Sequence, residues 1–208
     1  MTTSDMAHLL PASPHLSVVD AATDTDLLAI AASISATGPS AIPVGSGGLA
    51  GALAATWLEG RPADAPPRVT DILENHGNSR ILLQVSSMNP VSHAQVARLK
   101  AAFPDIVVLT APAEPGDRAS VAAALARTFA ERFDRGQWDV LGLIGGDGAR
   151  ETLKQLGASG IRIVDSLVEG IPLGVVSGGK ADGMPVFTKA GGFGAEDALV
   201  RSVERIKA

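Results

Sequence analysis

Short apolar runs rich in β-branched residues alternate with helical patterns along most of this 208-residue chain, and this alternation limits the possible folds most strongly. Strand-like runs precede helical spacing within residues 41–58, 81–103, 106–133 and 140–156, and Gly157 is placed to end the last of these helices. Strands that alternate with helices build parallel sheets covered by helices. The pattern predicts an α/β fold of three layers, with a mostly parallel sheet and helices on both faces.

The two ends of the chain depart from this alternation. Residues 1–15 show no periodicity and are expected to form a loose tail, followed by a strand at 17–20 and a helix at 24–35. Strand-like runs at 161–164, 173–176 and 186–188 have no long helix between them, which predicts a mixed region before a last helix at 195–206. Because the alternation resumes after a loop at 60–67, residues 16–208 are predicted to form one domain.

Charge and composition exclude several classes of protein. Seventeen Lys and Arg against 22 Asp and Glu give a net charge of −5, which argues against a nucleic acid partner. The absence of cysteine excludes disulfides, thiol catalysis and iron–sulfur ligation. The four histidines show no spacing typical of metal ligands, so no resident metal is predicted.

One stretch resembles a membrane span by composition alone. Residues 27–58 contain no charged side chain, but Pro39, Pro43 and the glycines at 45–48 divide them into two segments too short to cross a bilayer. A signal peptide is also unsupported, because no Lys or Arg precedes Arg61. The sequence therefore predicts a cytoplasmic protein without a membrane partner.

Glycine- or serine-rich segments stand where four of the strand-like runs end, at residues 45–48, 86–89, 145–148 and 191–194. At the carboxyl ends of parallel strands, glycines let backbone amides approach a ligand, and a following helix offers its positive N-terminus. A glycine at one such place has a simpler explanation, which is a tight turn between strand and helix. Four segments together favour a ligand that contains phosphate.

The sharpest of these segments is LIGGDG at residues 143–148. Asp147 is expected first to cap the following helix, and the alternative is that it holds hydrated Mg²⁺ beside a polyphosphate. Asp165 also lies at about the distance of the ribose-binding acid of a NAD-binding Rossmann motif. That match is weak, because Glu151 replaces the third glycine, and no P-loop sequence is present.

Six short segments stand out along the chain, namely GSGGLA at 45–50, SSMNP at 86–90, GGD at 145–147, GIP at 170–172, GG at 178–179 and KAGGFG at 189–194. They occur in the order seen in the four-carbon acid sugar kinases. The chain resembles the C-terminal, nucleotide-binding domain of that family from about Val18 to Ala208. The family's separate N-terminal domain, which binds the sugar acid, has no counterpart in this sequence.

The resemblance implies that this domain binds ATP, with Mg²⁺ arriving on the nucleotide. The implied nucleotide-binding residues are Ser87, Asn89, Gly145, Gly146, Asp147, Gly148, Lys189 and Gly191. No catalytic residue is identified. The chain departs from the family pattern where Ser86 replaces a usual glycine and where Gly148 and Ala190 replace a usual Thr and Ser, so hydroxyl groups are lost or moved. Asn89 replaces a serine and still has a hydrogen-bond donor.

The loop at residues 189–194 is expected to line the phosphate end of the site. Its three glycines permit close approach of the backbone, and Lys189 brings a positive charge that would be shared with the amides. Phe193 is expected to plug the core beneath this loop. A second copy of the chain or a partner is expected to bind a face built on residues 173–188, which are apolar and nearly uncharged.

Three functions of different classes follow from these observations. The favoured one is the ATP-binding half of a sugar-acid kinase, inactive alone and working with a separately encoded acceptor-binding subunit. The second is a non-catalytic module that binds a nucleotide or a phosphate ligand. The third is an NAD-dependent oxidoreductase, against which the missing third glycine argues.

Overall fold

The computed structural model describes residues 10, 13–60, 72–73, 78–111 and 117–208, which divide into two compact units. The first unit contains residues 1–64, and the second contains residues 65–208. Most of the predicted tail at 1–15 and most of the predicted loop at 60–67 lie outside the described residues. No described helix is both long and apolar enough to cross a membrane.

The first unit is a pair of helices, α1 (Asp24–Thr37) and α2 (Gly47–Leu58). Thr23 and Asp26 form a capping box at the start of α1, in which the amide of Asp26 donates to Thr23 Oγ1 (3.2 Å) and the amide of Thr23 donates to Asp26 Oδ2 (2.8 Å). The helices pack through small side chains, with Ala31 and Ala52 buried. Both helices are where the sequence pattern predicted them.

The strands predicted at 17–20 and 41–44 are wrong. Both segments are extended or irregular without pairing to another strand. The side chains of Ile42 and Val44 are almost fully exposed, at 87% and 89%. A β-branched run becomes a strand only where a neighbouring strand accepts its hydrogen bonds, and the described part of this unit contains none.

The second unit is built on a six-stranded sheet. Its elements in chain order are β1 (Ile81–Val85), α3 (Pro90–Ala102), β2 (Val107–Thr110), α4 (Arg118–Arg135), β3 (Val140–Ile144), α5 (Gly146–Gln155), β4 (Gly160–Val168), β5 (Ile171–Ser177), β6 (Pro185–Lys189) and α6 (Ala198–Lys207). The strand order is β2-β1-β3-β6-β5-β4, in which β2, β1, β3 and β6 are parallel. The last two strands, β5 and β4, pair antiparallel. The predicted mixed region is therefore confirmed.

Helices cover both faces of this sheet and make it the middle of three layers. Side chains of α3 and α6, including Leu99 and Leu199, share one buried cluster with Leu83 of β1. Side chains of α4 and α5 lie in the second cluster, where Phe129 packs with Leu82 of β1. Alternate side chains of one strand thus lie in hydrophobic cores on opposite faces of the sheet. The predicted fold class is confirmed.

Residues 173–188, on which a binding face was expected, include two interior strands of the sheet. Strand β6 pairs with β3 and β5, and β5 pairs with β6 and β4. Leu173, Val186 and Phe187 have no exposed area. These three residues are apolar because they fill the interior of a sheet covered on both sides, so their apolar character does not by itself indicate an interface.

Replacing Phe187 by Ala tests this core. The ring lies in the space left by Gly142, its partner on β3, where an added Cβ would stand 2.5 Å from Phe187 Cζ. Phe187→Ala is expected to lower the free energy of unfolding by about 3–5 kcal/mol, measured by urea denaturation with circular dichroism. Ile163→Ala on β4, whose side chain is 58% exposed, is the control and should cost about 0.5 kcal/mol. Equal losses would contradict the packing described.

Candidate functional site

Three of the loops singled out in the sequence meet at one edge of the sheet. They follow β1, β3 and β6, which are parallel neighbours and therefore end on the same side. Backbone hydrogen bonds join the loops, since the amide of Ser86 donates to the carbonyl of Ile144 (2.9 Å) and the amide of Gly145 donates to the carbonyl of Lys189 (3.0 Å). The segment at 45–48 belongs to the first unit, where Gly47 begins α2.

The turn at Gly145 leads directly into α5. Gly145 has a φ of +99°, and a Cβ on it would lie 2.5 Å from Ser86 Oγ and 3.0 Å from the amide nitrogen of Ser87. Gly145 is also the N-cap of α5, so no side chain caps the helix. Beside Gly146 the space is open, with no heavy atom within 4 Å of an added Cβ. The first turn of α5 therefore presents uncapped amides next to open space.

Asp147 does not cap α5, which corrects the first expectation for this residue. It lies inside the first turn of the helix, and its side chain is exposed. Glycine with positive φ took the cap position because the chain must turn sharply between β3 and α5. None of the described residues donates a hydrogen bond to the Asp147 carboxylate.

Ser86 occupies the space that a side chain at position 148 would need. A Cβ added to Gly148 would lie 2.2 Å from Ser86 Oγ and 2.3 Å from Ser86 Cβ. The Ser86 hydroxyl donates to the carbonyl of Ile144 (3.1 Å). The two departures from the family pattern at 86 and 148 are therefore in contact: the Ser86 side chain fills the space that a side chain at position 148 would occupy.

Ser87 and Asn89 lie against the loop that follows β6. A Cβ on Gly191 would be 2.1 Å from Ser87 Oγ, and one on Gly192 would be 2.7 Å from Asn89 Nδ2. Asn89 Oδ1 accepts from the amide of Val91 (2.9 Å) and caps α3, which explains why this helix begins at Pro90 instead of near Ser92. The glycines of 191–192 are required by this close approach of two loops.

Lys189 is buried beneath the same loop, with only 3% of its surface exposed. Its ammonium donates to the carbonyls of Ala190 (2.7 Å), Gly191 (3.0 Å) and Phe193 (2.8 Å). Removal from water lowers the pKa of Lys189 below its ordinary value. No carboxylate among the described residues forms an ion pair with Lys189, so backbone carbonyls solvate its ammonium.

Phe193 does not plug the core, contrary to expectation. Its side chain is 44% exposed and lies against Gly170, where an added Cβ would be 1.9 Å from Phe193 Cε1. The turn between β4 and β5 provides this contact, and the glycine there leaves room for the ring.

Asp165, which was considered as a ribose-binding acid, lies on β4. Strands β6 and β5 separate β4 from β3, and the Asp165 carboxylate pairs with Arg205 (3.5 Å). The Rossmann interpretation is therefore not supported by the topology.

Four buried polar side chains beside the loops were missed in the sequence. Ser92 donates its hydroxyl to the carbonyl of Gly191, and Gln95 Nε2 donates to the carbonyls of Phe193, Gly194 and Ala195. Thr152 donates to Gln84 Oε1 under α5. The signal that could have found them is a polar residue at an apolar position: Gln84 interrupts a strand, and Ser92 and Gln95 share the buried face of α3 with Leu99.

This edge, with uncapped helix amides and glycine loops at the ends of parallel strands, defines an α/β domain of the nucleotide-binding class. Residues 109–199 match the family model described as the nucleotide-binding C-terminal domain. The chain is 34% identical over 230 aligned residues to the D-threonate kinase of Bordetella bronchiseptica, a match that covers 99% of this chain and 56% of that protein. The chain belongs to the four-carbon acid sugar kinase family and is a C-terminal nucleotide-binding domain of that family.

Solved structures agree with this assignment. A crystal structure of a domain of unknown function, DUF1537, from Bordetella bronchiseptica, a domain-swapped dimer with bound citrate, superposes with a TM-score of 0.57 at 32% identity over 88% of this chain and 51% of that one. A DUF1537 protein of Haemophilus influenzae shares the fold, with a TM-score of 0.58 at 15% identity over 88% and 52% of the two chains. The chain spans about half the length of these relatives.

The contact between Ser86 and position 148 is testable by a double-mutant cycle. Gly148→Ala alone is expected to lower the free energy of unfolding by about 1–3 kcal/mol, because its Cβ meets Ser86. Adding Ser86→Gly should restore most of that loss, so the two changes are not additive. Urea denaturation measures all four proteins, and Gly146→Ala, in open space on the same helix, is the control expected to cost nothing. Additive losses would contradict this contact.

Proposed function

We propose that this chain binds ATP together with Mg²⁺ and provides the nucleotide half of a sugar-acid kinase. In this proposal a tetronate-type acceptor, a four-carbon sugar acid, is held by a separate domain or a separately encoded subunit. We propose that this role belongs to carbohydrate metabolism. Because the proposed reaction uses ATP, we place the protein in the cytoplasm. Residues 16–208 are proposed to act as one nucleotide-binding domain, supported by the match to a D-threonate kinase over 99% of the chain.

The observation that supports this proposal most directly is the open cradle at the carboxyl edge of β1, β3 and β6. Helix α5 begins there with a glycine N-cap, and open space lies beside Gly146. Helix α3 begins at the same edge, after Asn89. Phosphates bind well where amides and positive helix ends converge, since their charge meets the helix dipole and their oxygens accept hydrogen bonds.

We assign the nucleotide to the residues implied by the family resemblance. The proposed contacts are Ser87, Asn89, Gly145, Gly146, Asp147, Gly148 and Gly191, with Lys189 beneath the loop. Their arrangement fits a polyphosphate because the amides of Gly146, Asp147 and Gly191 donate to no acceptor among the described residues. In such a site the protein positions the nucleotide and neutralises its charge, and phosphoryl transfer needs the acceptor held in line by other residues.

The donor set also fits Mg²⁺ brought by the nucleotide. Asp147 offers one exposed carboxylate in the first turn of α5, and no group of three His, Asp or Glu side chains within the described residues forms a metal site. Mg²⁺ is commonly held by one or two carboxylates, substrate phosphates and water. We therefore propose that Asp147 helps to hold Mg²⁺ beside the phosphates.

The second candidate function is a non-catalytic module that binds a nucleotide or another phosphate ligand. The replacement of a usual serine by Ala190 favours it, because one hydroxyl is lost from the loop after β6. The two candidates share the binding site and differ only in whether phosphoryl transfer follows.

Gly146→Ala separates nucleotide binding from folding. The added methyl group meets no protein atom, so the melting temperature should not fall, but it enters the space that we assign to the phosphates. Isothermal titration calorimetry with Mg²⁺-ATP should show binding to the wild-type chain and about tenfold weaker binding to the variant. Gly160→Ala, which also lies in open space but on β4, is the control and should bind as the wild type does.

Titrations of ADP, AMP and NAD complete this experiment. Affinity is expected to decrease from ATP to ADP to AMP, as phosphates are removed. Preferential binding of NAD, or no binding of any nucleotide by the folded wild-type chain at millimolar concentration, would reject the proposal.

The chain alone is expected to transfer no phosphoryl group to free threonate or erythronate, since only the nucleotide side of the reaction is positioned. Coupled detection of ADP in the presence of each acid measures this directly. Transfer by the chain alone would show that the acceptor is bound here and would reject a separate acceptor domain.

We also propose that the chain forms a homo-oligomer, supported by the domain-swapped dimer of the Bordetella DUF1537 protein. Sedimentation equilibrium on the sample used for the transfer assay measures the mass of the species present. A monomer at assay concentration would remove this part of the proposal.

A further inference from the structure

We propose that Lys189 is a positioning residue that acts from beneath the site: its ammonium holds the loop at 190–195 so that the loop's amides, and not the lysine, bind the terminal phosphates. This inference rests on the proposed function and names the groups that recognise the ligand. The ligand class is an oxyanion with phosphate geometry, presented by a nucleotide.

The ammonium has no proton left for a ligand. The lysine ammonium carries three N–H donors, and its three acceptors are the carbonyls of Ala190, Gly191 and Phe193, at 2.7, 3.0 and 2.8 Å. Only 3% of the surface of Lys189 is exposed. A direct contact with phosphate would require breaking these bonds and opening the loop.

Two uncharged side chains hold the same loop from the same side. Ser92 donates to the carbonyl of Gly191, and Gln95 Nε2 donates to the carbonyls of Phe193 (3.1 Å), Gly194 (3.2 Å) and Ala195 (2.8 Å). Together with Lys189 they bind the carbonyls of five of the six residues from 190 to 195. The loop is therefore fixed by its oxygen atoms.

This fixing of the carbonyls determines where the amides point. In a trans peptide the C=O and N–H groups point in opposite directions, and no cis peptide occurs in the described chain. The carbonyls that accept from Lys189 share their peptide units with the N–H groups of Gly191, Gly192 and Gly194. These three N–H groups therefore face away from the ammonium. None of the three donates to an acceptor among the described residues. Successive outward amides form an anion-binding concavity.

The glycines fit this role better than any other residue. Gly191 and Gly192 have no side chain between their amides and the ligand, and Ser87 and Asn89 close in where a Cβ would be. Gly194 has a φ of +87°, which turns the chain back toward α6. Lys189 contributes its positive charge to this concavity from below, without contact.

The experiment compares Lys189→Met with Gln95→Met. Gln95 bears no charge and reaches only the loop carbonyls, so it can affect a phosphate only by positioning the loop. Both variants are expected to bind Mg²⁺-ATP and inorganic pyrophosphate about tenfold more weakly than the wild type in calorimetry. The double variant should be close to the weaker single variant, because both changes act through one loop. Lys100→Met, an exposed lysine in the last turn of α3, is the matched control and should not change binding.

Hydrogen–deuterium exchange without any ligand provides the second measurement. Peptides covering residues 190–195 should exchange faster in Lys189→Met and Gln95→Met than in the wild type, and at the wild-type rate in Lys100→Met. Adenosine, which has no phosphate, should not distinguish the variants. Should Lys189→Met fail to fold, Gln95→Met tests the loop by both measurements.

Two outcomes would overturn this inference. One is weaker ATP binding in Lys189→Met with unchanged binding in Gln95→Met, which would mean that the charge of the ammonium, and not the position of the loop, governs binding of the phosphates. The other is unchanged exchange of the loop in the variants, which would mean that Lys189 and Gln95 do not hold it. A wild-type chain that binds no nucleotide and no pyrophosphate, while its loop still loosens in the variants, would reject the proposed function and the oxyanion role but retain the positioning role.

Discussion

The parallel pairing of β3 with both β1 and β6 is the constraint on which the rest of this structure depends. Parallel strands end at the same edge, so the loops after Val85, Ile144 and Lys189 must meet there. Each parallel connection also needs a helix to return the chain, and those helices supply two separate cores on the two faces of the sheet. The site and the three layers thus have one common cause.

Close contact between loops, more than flexibility, explains the glycines at this edge. The side chains of Ser86, Ser87 and Asn89 fill the positions where a Cβ of Gly148, Gly191 and Gly192 would stand. The backbone thereby forms the surface that meets the ligand in the proposed function. A site made of amides favours an oxyanion, and its geometry depends on whatever holds the carbonyls behind it.

A buried ammonium is costly, because it loses its hydration on folding. The ammonium of Lys189 exchanges water for three carbonyl oxygens of the loop next to it in the chain. Ser92 and Gln95 lie on the buried face of α3, which also carries Leu99 of the core. These polar groups stabilise one conformation of an otherwise permissive glycine loop, as the positioning role proposed for Lys189 requires.

The sequence by itself determined the α/β class, the bounds of most elements after residue 80 and the three loops of the site, because apolar periodicity and glycine after a strand are local signals. Resemblance to a known family was also readable from short segments. Pairing was not local: the runs at 17–20 and 41–44 had strand composition but no partner, and the apolar strands at 173–188 proved to be interior. Only the tertiary structure decided that the Lys189 ammonium faces carbonyls, that Gly145 and not Asp147 is the N-cap, and that Ser86 fills the space at Gly148. Each of these depends on residues that are distant in the chain or on the direction of a turn.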